Sequence, residues 1–134
     1  MKLYHDIIMD HYKNPRHHGE IKNPDFISHN FNPSCGDSVV ISGKVKQNIL
    51  LQALFEGSGC VISQATVSIL LDHVIGKKLD QIIFLGPDDI QELIGIKLGP
   101  VRLRCAIMSL SALQSGIKEY LSKKDGQKRG RKDA

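Results

Sequence analysis

From Ile27 to Glu56 apolar side chains recur at every second position, and on both sides of that block they recur at every third or fourth. This change of period constrains the fold most tightly. Period two lays apolar groups on one face of a strand, and a period near 3.6 lays them along one face of a helix. Residues 26–31 read as a first strand. Val39, Ile41 and Val45 alternate with Ser38, Ser42 and Lys44 in a second, and Lys46, Gln47 and Asn48 make a short turn. In the third, Ile49, Leu51, Ala53 and Phe55 share one face and Gln52 and Glu56 the other. Connections this short join antiparallel neighbours, so the block is a small sheet with one face to be covered.

The flanks supply the cover. Residues 3–12 place Leu3, Ile7 and Ile8, and also Tyr4, Ile8 and His11, at helical spacing, and Asn14-Pro15 ends that helix. Residues 60–75 predict a second helix, with Ile62, Ala65, Ile69, Leu70 and His73 along its face and Gly76 as its stop. Ser63, Gln64, Thr66 and Ser68 leave its remaining surface polar but uncharged, as on a partly covered helix. A short helix follows Pro87, with Asp88 and Asp89 in its first turn and Gly95 at its end. The last helix starts at Pro100, the favoured first position. Its apolar stripe runs through Leu103, Ala106, Ile107, Leu110, Leu113, Ile117, Tyr120 and Leu121. The fold class is α+β: a small three-stranded antiparallel sheet with helices packed mainly on one face.

At 134 residues, with 41% hydrophobic and 24% charged residues, the chain reads as one globular domain. It contains no run of about 18 apolar residues, so no membrane span is expected. Met1 to Asp6 lacks the apolar core of a signal peptide, which makes cytoplasmic the default location. The net charge of +4 sits in residues 123–134, where Lys123, Lys124, Lys128, Arg129, Arg131 and Lys132 face only Asp125 and Asp133. That divides the chain into a domain at 1–122 and a basic, disordered tail at 123–134. Without aromatic residues between the charges, the tail does not predict specific nucleic-acid binding.

Chemistry concentrates at Asn32-Pro33-Ser34-Cys35-Gly36-Asp37, which puts a thiol and a carboxylate two residues apart at a turn. The other two cysteines, Cys60 and Cys105, fall where helices begin, Cys60 after Gly57-Ser58-Gly59 and Cys105 behind Arg102 and Arg104. Three thiols cannot all pair within one chain, and a reducing compartment keeps them free. Free cysteines are ordinarily small buried hydrophobes, a reading that suits one of these better than all three. A helix N-terminus and nearby arginines favour thiolate, the form that binds soft metals and attacks sulfur donors. Gly36, Gly57 and Gly59 let backbone approach closely. The separations of 25 and 45 residues match no zinc-finger spacing, so only the fold could assemble such a site. His17 and His18 read as solvated turn residues rather than ligands.

These stretches carry a resemblance. Tyr4, Asp10-His11-Tyr12, Asn14-Pro15-Arg16 and Gly19 are followed by Asn32-Pro33-Ser34-Cys35-Gly36-Asp37, by residues 55–65 (Phe-Glu-Gly-Ser-Gly-Cys-Val-Ile-Ser-Gln-Ala) and by Arg102-Leu103-Arg104-Cys105-Ala106. Together they resemble the U-type iron–sulfur cluster assembly scaffolds, the IscU, SufU and NifU N-terminal family, over residues 4–106. The resemblance implies the SufE/NifU-like fold. It also implies a non-enzymatic scaffold that accepts persulfide sulfur from a cysteine desulfurase, binds iron, holds a transient [2Fe–2S] cluster and passes it to apo iron–sulfur acceptor proteins.

By position, Cys35, Asp37, Cys60 and Cys105 would be the ligands, with Cys105 the sulfur-accepting candidate beside its arginines. Clusters prefer thiolates, so Asp37 would leave one corner easier to release. The same set could close a tetrahedral zinc site, and a zinc-containing sulfur acceptor of the SufU type is the alternative. Arg104 stands where IscU-type members carry histidine, which is closer to SufU, yet the long SufU insertion between the second and third cysteines is absent. Leu98-Gly99-Pro100-Val101-Arg102 resembles the Leu-Pro-Pro-Val-Lys segment that a specialised Hsp70-type chaperone recognises. Gly99 and Arg102 depart from it, which speaks against chaperone-assisted release.

Overall fold

A computed structural model describes the backbone of residues 2–33 and 36–133 and the side chains of 5–33 and 36–124. The chain runs α1 (Lys2–Lys13), β1 (Phe26–Asn32), β2 (Asp37–Lys46), β3 (Ile49–Ser58), α2 (Val61–Val74), α3 (Leu79–Ile83), α4 (Pro87–Ile94) and α5 (Pro100–Asp133). The strands form one antiparallel sheet in the order β1-β2-β3. The β2–β3 hairpin closes on Gln47 and Asn48, both at positive φ (53° and 62°), as a two-residue primed turn requires.

The expected alternation holds at Val39, Ile41, Ala53 and Phe55, all buried on the face that α2 and α5 cover. It fails at the start of β3. Lys44 pairs with Gln52 but Val45 pairs with Leu50, so Leu51 is the extra residue of a β-bulge. The slip turns Leu50 into the core (0% exposed) and Leu51 out to solvent (52%), which corrects the expected inward face of Ile49 and Leu51. A bulge moves every residue on its far side by one, and period-two reading cannot see it.

α2 is the central helix. It touches α1, α4, α5 and β3, and Ser63, Thr66 and Ser68 are buried along with its apolar residues. Its uncharged polar surface therefore faces protein, as expected. Ser68 shows why hydroxyls suit it: Oγ accepts from the Arg16 backbone N–H at 2.8 Å and lies 2.7 Å from His11 Nδ1, tying α1 and the turn after it to α2.

That turn then runs along the outer edge of β3, where Phe55 N donates to His17 O (2.9 Å) and Gly19 N to Phe55 O (2.8 Å). It crosses the second face of the sheet, where Ile21 N donates to Ser42 Oγ at 3.1 Å. His17 also pairs with Asp72 at 3.0 Å.

α3 was not expected. Its five residues bury only Leu79 and Ile82, and Gln81 Oε1 accepts from Lys78 N–H at its start, a signal too short for a periodicity count. α4 begins and ends as predicted, with Asp89 Oδ2 accepting from Gly86 N–H at 2.7 Å and Gly95 at φ 81°. α5 packs closely on the sheet at Gly116, where an added Cβ would stand 2.6 Å from Phe26 Cδ1. Gly43 lies against the same ring, so Phe26 is held between a strand glycine and a helix glycine. α5 overlaps the basic segment 123–134, and the side chains from 125 onward lie outside the described residues.

Candidate metal and sulfur site

The β1–β2 hairpin, the β3–α2 junction and the first turns of α5 meet at one end of the sheet. Asn32 pairs with Asp37, and Gly36 N donates to Asn32 O at 2.8 Å. Gly36 adopts φ 74°, a left-handed conformation, and an added Cβ there would meet nothing within 4 Å. Its glycine is thus a matter of backbone conformation, not of the close approach expected. Cys35, expected in the ligand set, lies outside the described residues.

Asp37 opens β2 and points inward, with 1% of its surface exposed. Its Oδ1 accepts from Cys60 N–H at 3.1 Å, and its Oδ2 lies 3.8 Å from Cys60 Sγ. The contact needs Gly59, at φ 152°: a Cβ there would overlap the Asp37 carboxylate and stand 2.7 Å from Ser63 Oγ. Gly57 permits a similar approach at the β2–β3 pairing, where a Cβ would overlap the Ser38 carbonyl. These two close approaches are the ones expected of the glycine-rich turn.

Cys60 caps α2. Its Sγ accepts from Ser63 N–H at 3.4 Å, and its carbonyl accepts from Ser63 Oγ–H at 3.1 Å. The Cys60 sulfur thus meets an amide donor at the positive end of the helix. Cys60 is exposed, whereas Cys105, in the second turn of α5, is 3% exposed.

Ligand atoms of Asp37, Cys60 and Cys105 all lie within 4.8 Å of one another. Three of the four residues singled out from sequence, 23 and 45 positions apart in the chain, are therefore assembled by the fold. Two thiols and a carboxylate suit zinc, and they equally suit an iron–sulfur cluster.

The arginines divide. Arg104 lines a groove against Phe31, Asn32 and Pro33, while Arg102 lines a cleft that includes Cys60. Arg102 thus belongs to the surroundings of Cys60 as well as preceding Cys105 in sequence. His5 and Met9 of α1 line the same cleft. Sequence reading missed both, although their i, i+4 spacing put them on one side of a helix.

Among known proteins, the family model described as NifU-like N terminal domain matches residues 3–127. The chain is 37% identical to the zinc-dependent sulfurtransferase SufU of Bacillus subtilis, over 86% of this chain and 89% of that protein. It is 32% identical to the iron–sulfur cluster assembly scaffold protein IscU of Escherichia coli K12, over 92% and 98%. Its fold is similar to the crystal structure of FiSufU from Fervidobacterium islandicum AW-1, named for an iron–sulfur cluster assembly scaffold of the SUF system. That match has a TM-score of 0.71 at 27% identity, covering 84% of this chain and 94% of that one.

Proposed function

Since the chain belongs to the NifU-like N-terminal domain family, we propose that it is an iron–sulfur cluster assembly scaffold. In this reading it accepts persulfide sulfur from a cysteine desulfurase, binds iron, holds a nascent [2Fe–2S] cluster and hands it to apoproteins. The supporting observation is the convergence of Asp37, Cys60 and Cys105 within 4.8 Å at the end of the sheet. With Cys35, two residues before Asp37 in the sequence, the proposed set is three thiolates and one carboxylate.

The residues divide the work. Cys35, Cys60 and Cys105 bind the cargo as thiolates, the strongest donors for iron and sulfide. Asp37 is the harder and weaker donor, and its Oδ1 keeps the Cys60 N–H while Oδ2 is available to metal. Release then needs only the weak corner to open. Incoming sulfur meets Cys60 before Cys105, because Cys60 is exposed and Cys105 is buried. Burial thereby outweighs the adjacent arginines that singled out Cys105 as acceptor. The role is that of a carrier, with sulfur acceptance a stoichiometric transfer.

A second reading has a specific basis, the 37% identity to a zinc-dependent SufU together with Arg104 at the position before Cys105. Here the same four residues hold zinc, which supplies charge that keeps the thiols deprotonated, and one thiolate is released to receive sulfur.

Anaerobic purification with iron, zinc and acid-labile sulfide counted, before and after incubation with a cysteine desulfurase, cysteine and iron, tests both. Iron and sulfide rising together, with a visible charge-transfer spectrum, is the result expected of a scaffold. Zinc that persists while desulfurase turnover accelerates would replace that reading with the second. Protein that takes up neither metal nor sulfide would overturn both.

A further inference from the structure

The cleft beside Cys60 is larger than metal binding requires. It has a volume of about 360 Å³, within the range of small-molecule sites, and lies between α1, the start of α2 and the start of α5. Ile8, Met9, Ile62 and Ile96 give it an apolar lining. Three chemistry-bearing side chains also line it: the Cys60 thiol, the His5 imidazole and the Arg102 guanidinium. No acidic residue lines it. Arg102 is exposed and makes no hydrogen bond or ion pair among the described residues, so its charge is uncompensated.

We propose that this cleft binds a small organic persulfide that carries a carboxylate, from which Cys60 takes the terminal sulfur. The inference rests on the sulfur-accepting reading above and names a donor for it besides a partner protein. Each portion of such a ligand has a matching wall. Divalent sulfur is soft and weakly hydrated, and it suits the Met9 thioether and the aliphatic lining. A carboxylate suits the unpaired guanidinium, which offers paired donors in a plane.

The transfer balances without an oxidant. The Cys60 thiolate attacks the terminal sulfur of R–S–SH, and its electron pair forms the new S–S bond. The bond between the inner and terminal sulfurs breaks, its pair leaves on R–S⁻, and Cys60 carries –S–SH. Ser63 N–H, already 3.4 Å from Cys60 Sγ, supports the attacking anion.

The test uses the full chain under anaerobic conditions with 3-mercaptopropionic acid persulfide and, separately, its methyl ester. Each rate is normalised to the reaction of the same persulfide with a free reference thiol, and the cysteine that gains sulfur is located by peptide mass spectrometry. The acid is expected to react faster than the ester by on the order of tenfold, the ratio one charge-assisted contact supplies. Its rate should saturate with concentration, and the added sulfur should lie on Cys60. Arg102→Gln should bring the ratio close to one, and Arg102→Lys should restore most of it.

Equal rates for acid and ester, a ratio that survives Arg102→Gln, or added sulfur on another cysteine would overturn the proposal. A parallel reaction with a cysteine desulfurase and cysteine separates the two readings. Sulfur delivered by the enzyme, with no preference for the free acid, removes the cleft and leaves the proposed function standing. Acid-selective uptake without delivery by the enzyme does the reverse.

Discussion

Asp37 touches Cys60 twice, through Oδ1 at 3.1 Å to the backbone N–H and through Oδ2 at 3.8 Å to Sγ. One carboxylate therefore closes the N-terminus of α2 and is also the proposed metal donor. The two tasks are separable by substitution. Asp37→Asn keeps an oxygen for the N–H but removes the anionic donor, whereas Asp37→Ala removes both. Both variants should slow cluster transfer to an acceptor protein, because the weak corner is gone. Only Asp37→Ala should lose about 1 kcal/mol of stability for the part-buried Cys60 N–H left without its carboxylate. Transfer timed by the acceptor's spectrum, beside urea unfolding, reads the two effects; unchanged transfer in both variants would remove Asp37 from the ligand set.

Gly59→Ala asks whether the site depends on backbone approach. The new Cβ would overlap the Asp37 carboxylate and adopt φ 152°, which side-chain-bearing residues rarely do. The expected outcome is a loss of about 1–3 kcal/mol and a fall in bound metal per chain. Metal stoichiometry equal to that of the parent would mean that the carboxylate moves aside freely.

Cys35→Ser and Cys60→Ser should each abolish stable metal binding, counted by elemental analysis after gel filtration. Stripping metal from the parent with a chelator should lower its Tm, because a ligand bound only by the folded chain stabilises it. The serine variants should show no such drop. Full stoichiometry in either variant would contradict the assignment of that cysteine.

His11 predicts a pH dependence at the α1–α2 contact. Burial, and after it the Arg16 charge, lowers the His11 pKa below its ordinary 6.5. The Ser68 hydroxyl, which accepts from Arg16 N–H, can give its own proton to His11 Nδ1, an arrangement that suits the neutral ring. The folded chain then binds fewer protons than the unfolded chain between the lowered pKa and 6.5. This contribution is complete above 6.5 and is lost as pH falls from there through the folded pKa. The urea midpoint should fall between about pH 7.5 and about pH 5.5, and the slope should shrink in His11→Gln. An identical slope in the variant would exclude His11 as the source.

Gly116→Ala sets helix propensity against packing. Alanine is favoured over glycine inside a helix by about 1 kcal/mol. Here the added methyl would stand 2.6 Å from Phe26 Cδ1, and the ring cannot retreat because Gly43 backs it. Packing should win, with a net loss of about 1–3 kcal/mol in thermal or urea unfolding. A stabilised variant would show that the ring has room to move.

The elements were legible because each follows from a local rule. The shift from period 3.6 to period two and back marked α1, the three strands, α2 and α5. Pro87, Gly95 and Pro100 marked helix ends. What went unread had no local signature. The bulge at Leu51 comes from pairing with β2, and α3 is too short to show a period.

The site divides in the same way. Residue type and motif order in the sequence determined which groups bear the chemistry, since thiols and a carboxylate beside tight turns are suited to metal wherever they end up. They also determined that Gly57 and Gly59 had to be small. Only tertiary structure decided that Asp37, Cys60 and Cys105 meet within 4.8 Å, that Cys60 is exposed and Cys105 buried, and that Arg102 shares a cleft with Cys60. The physical reason is that exposure and proximity belong to the packing of β2, β3 and α5 together. A residue's neighbours along the chain carry little information about neighbours that arrive from 23 or 45 positions away.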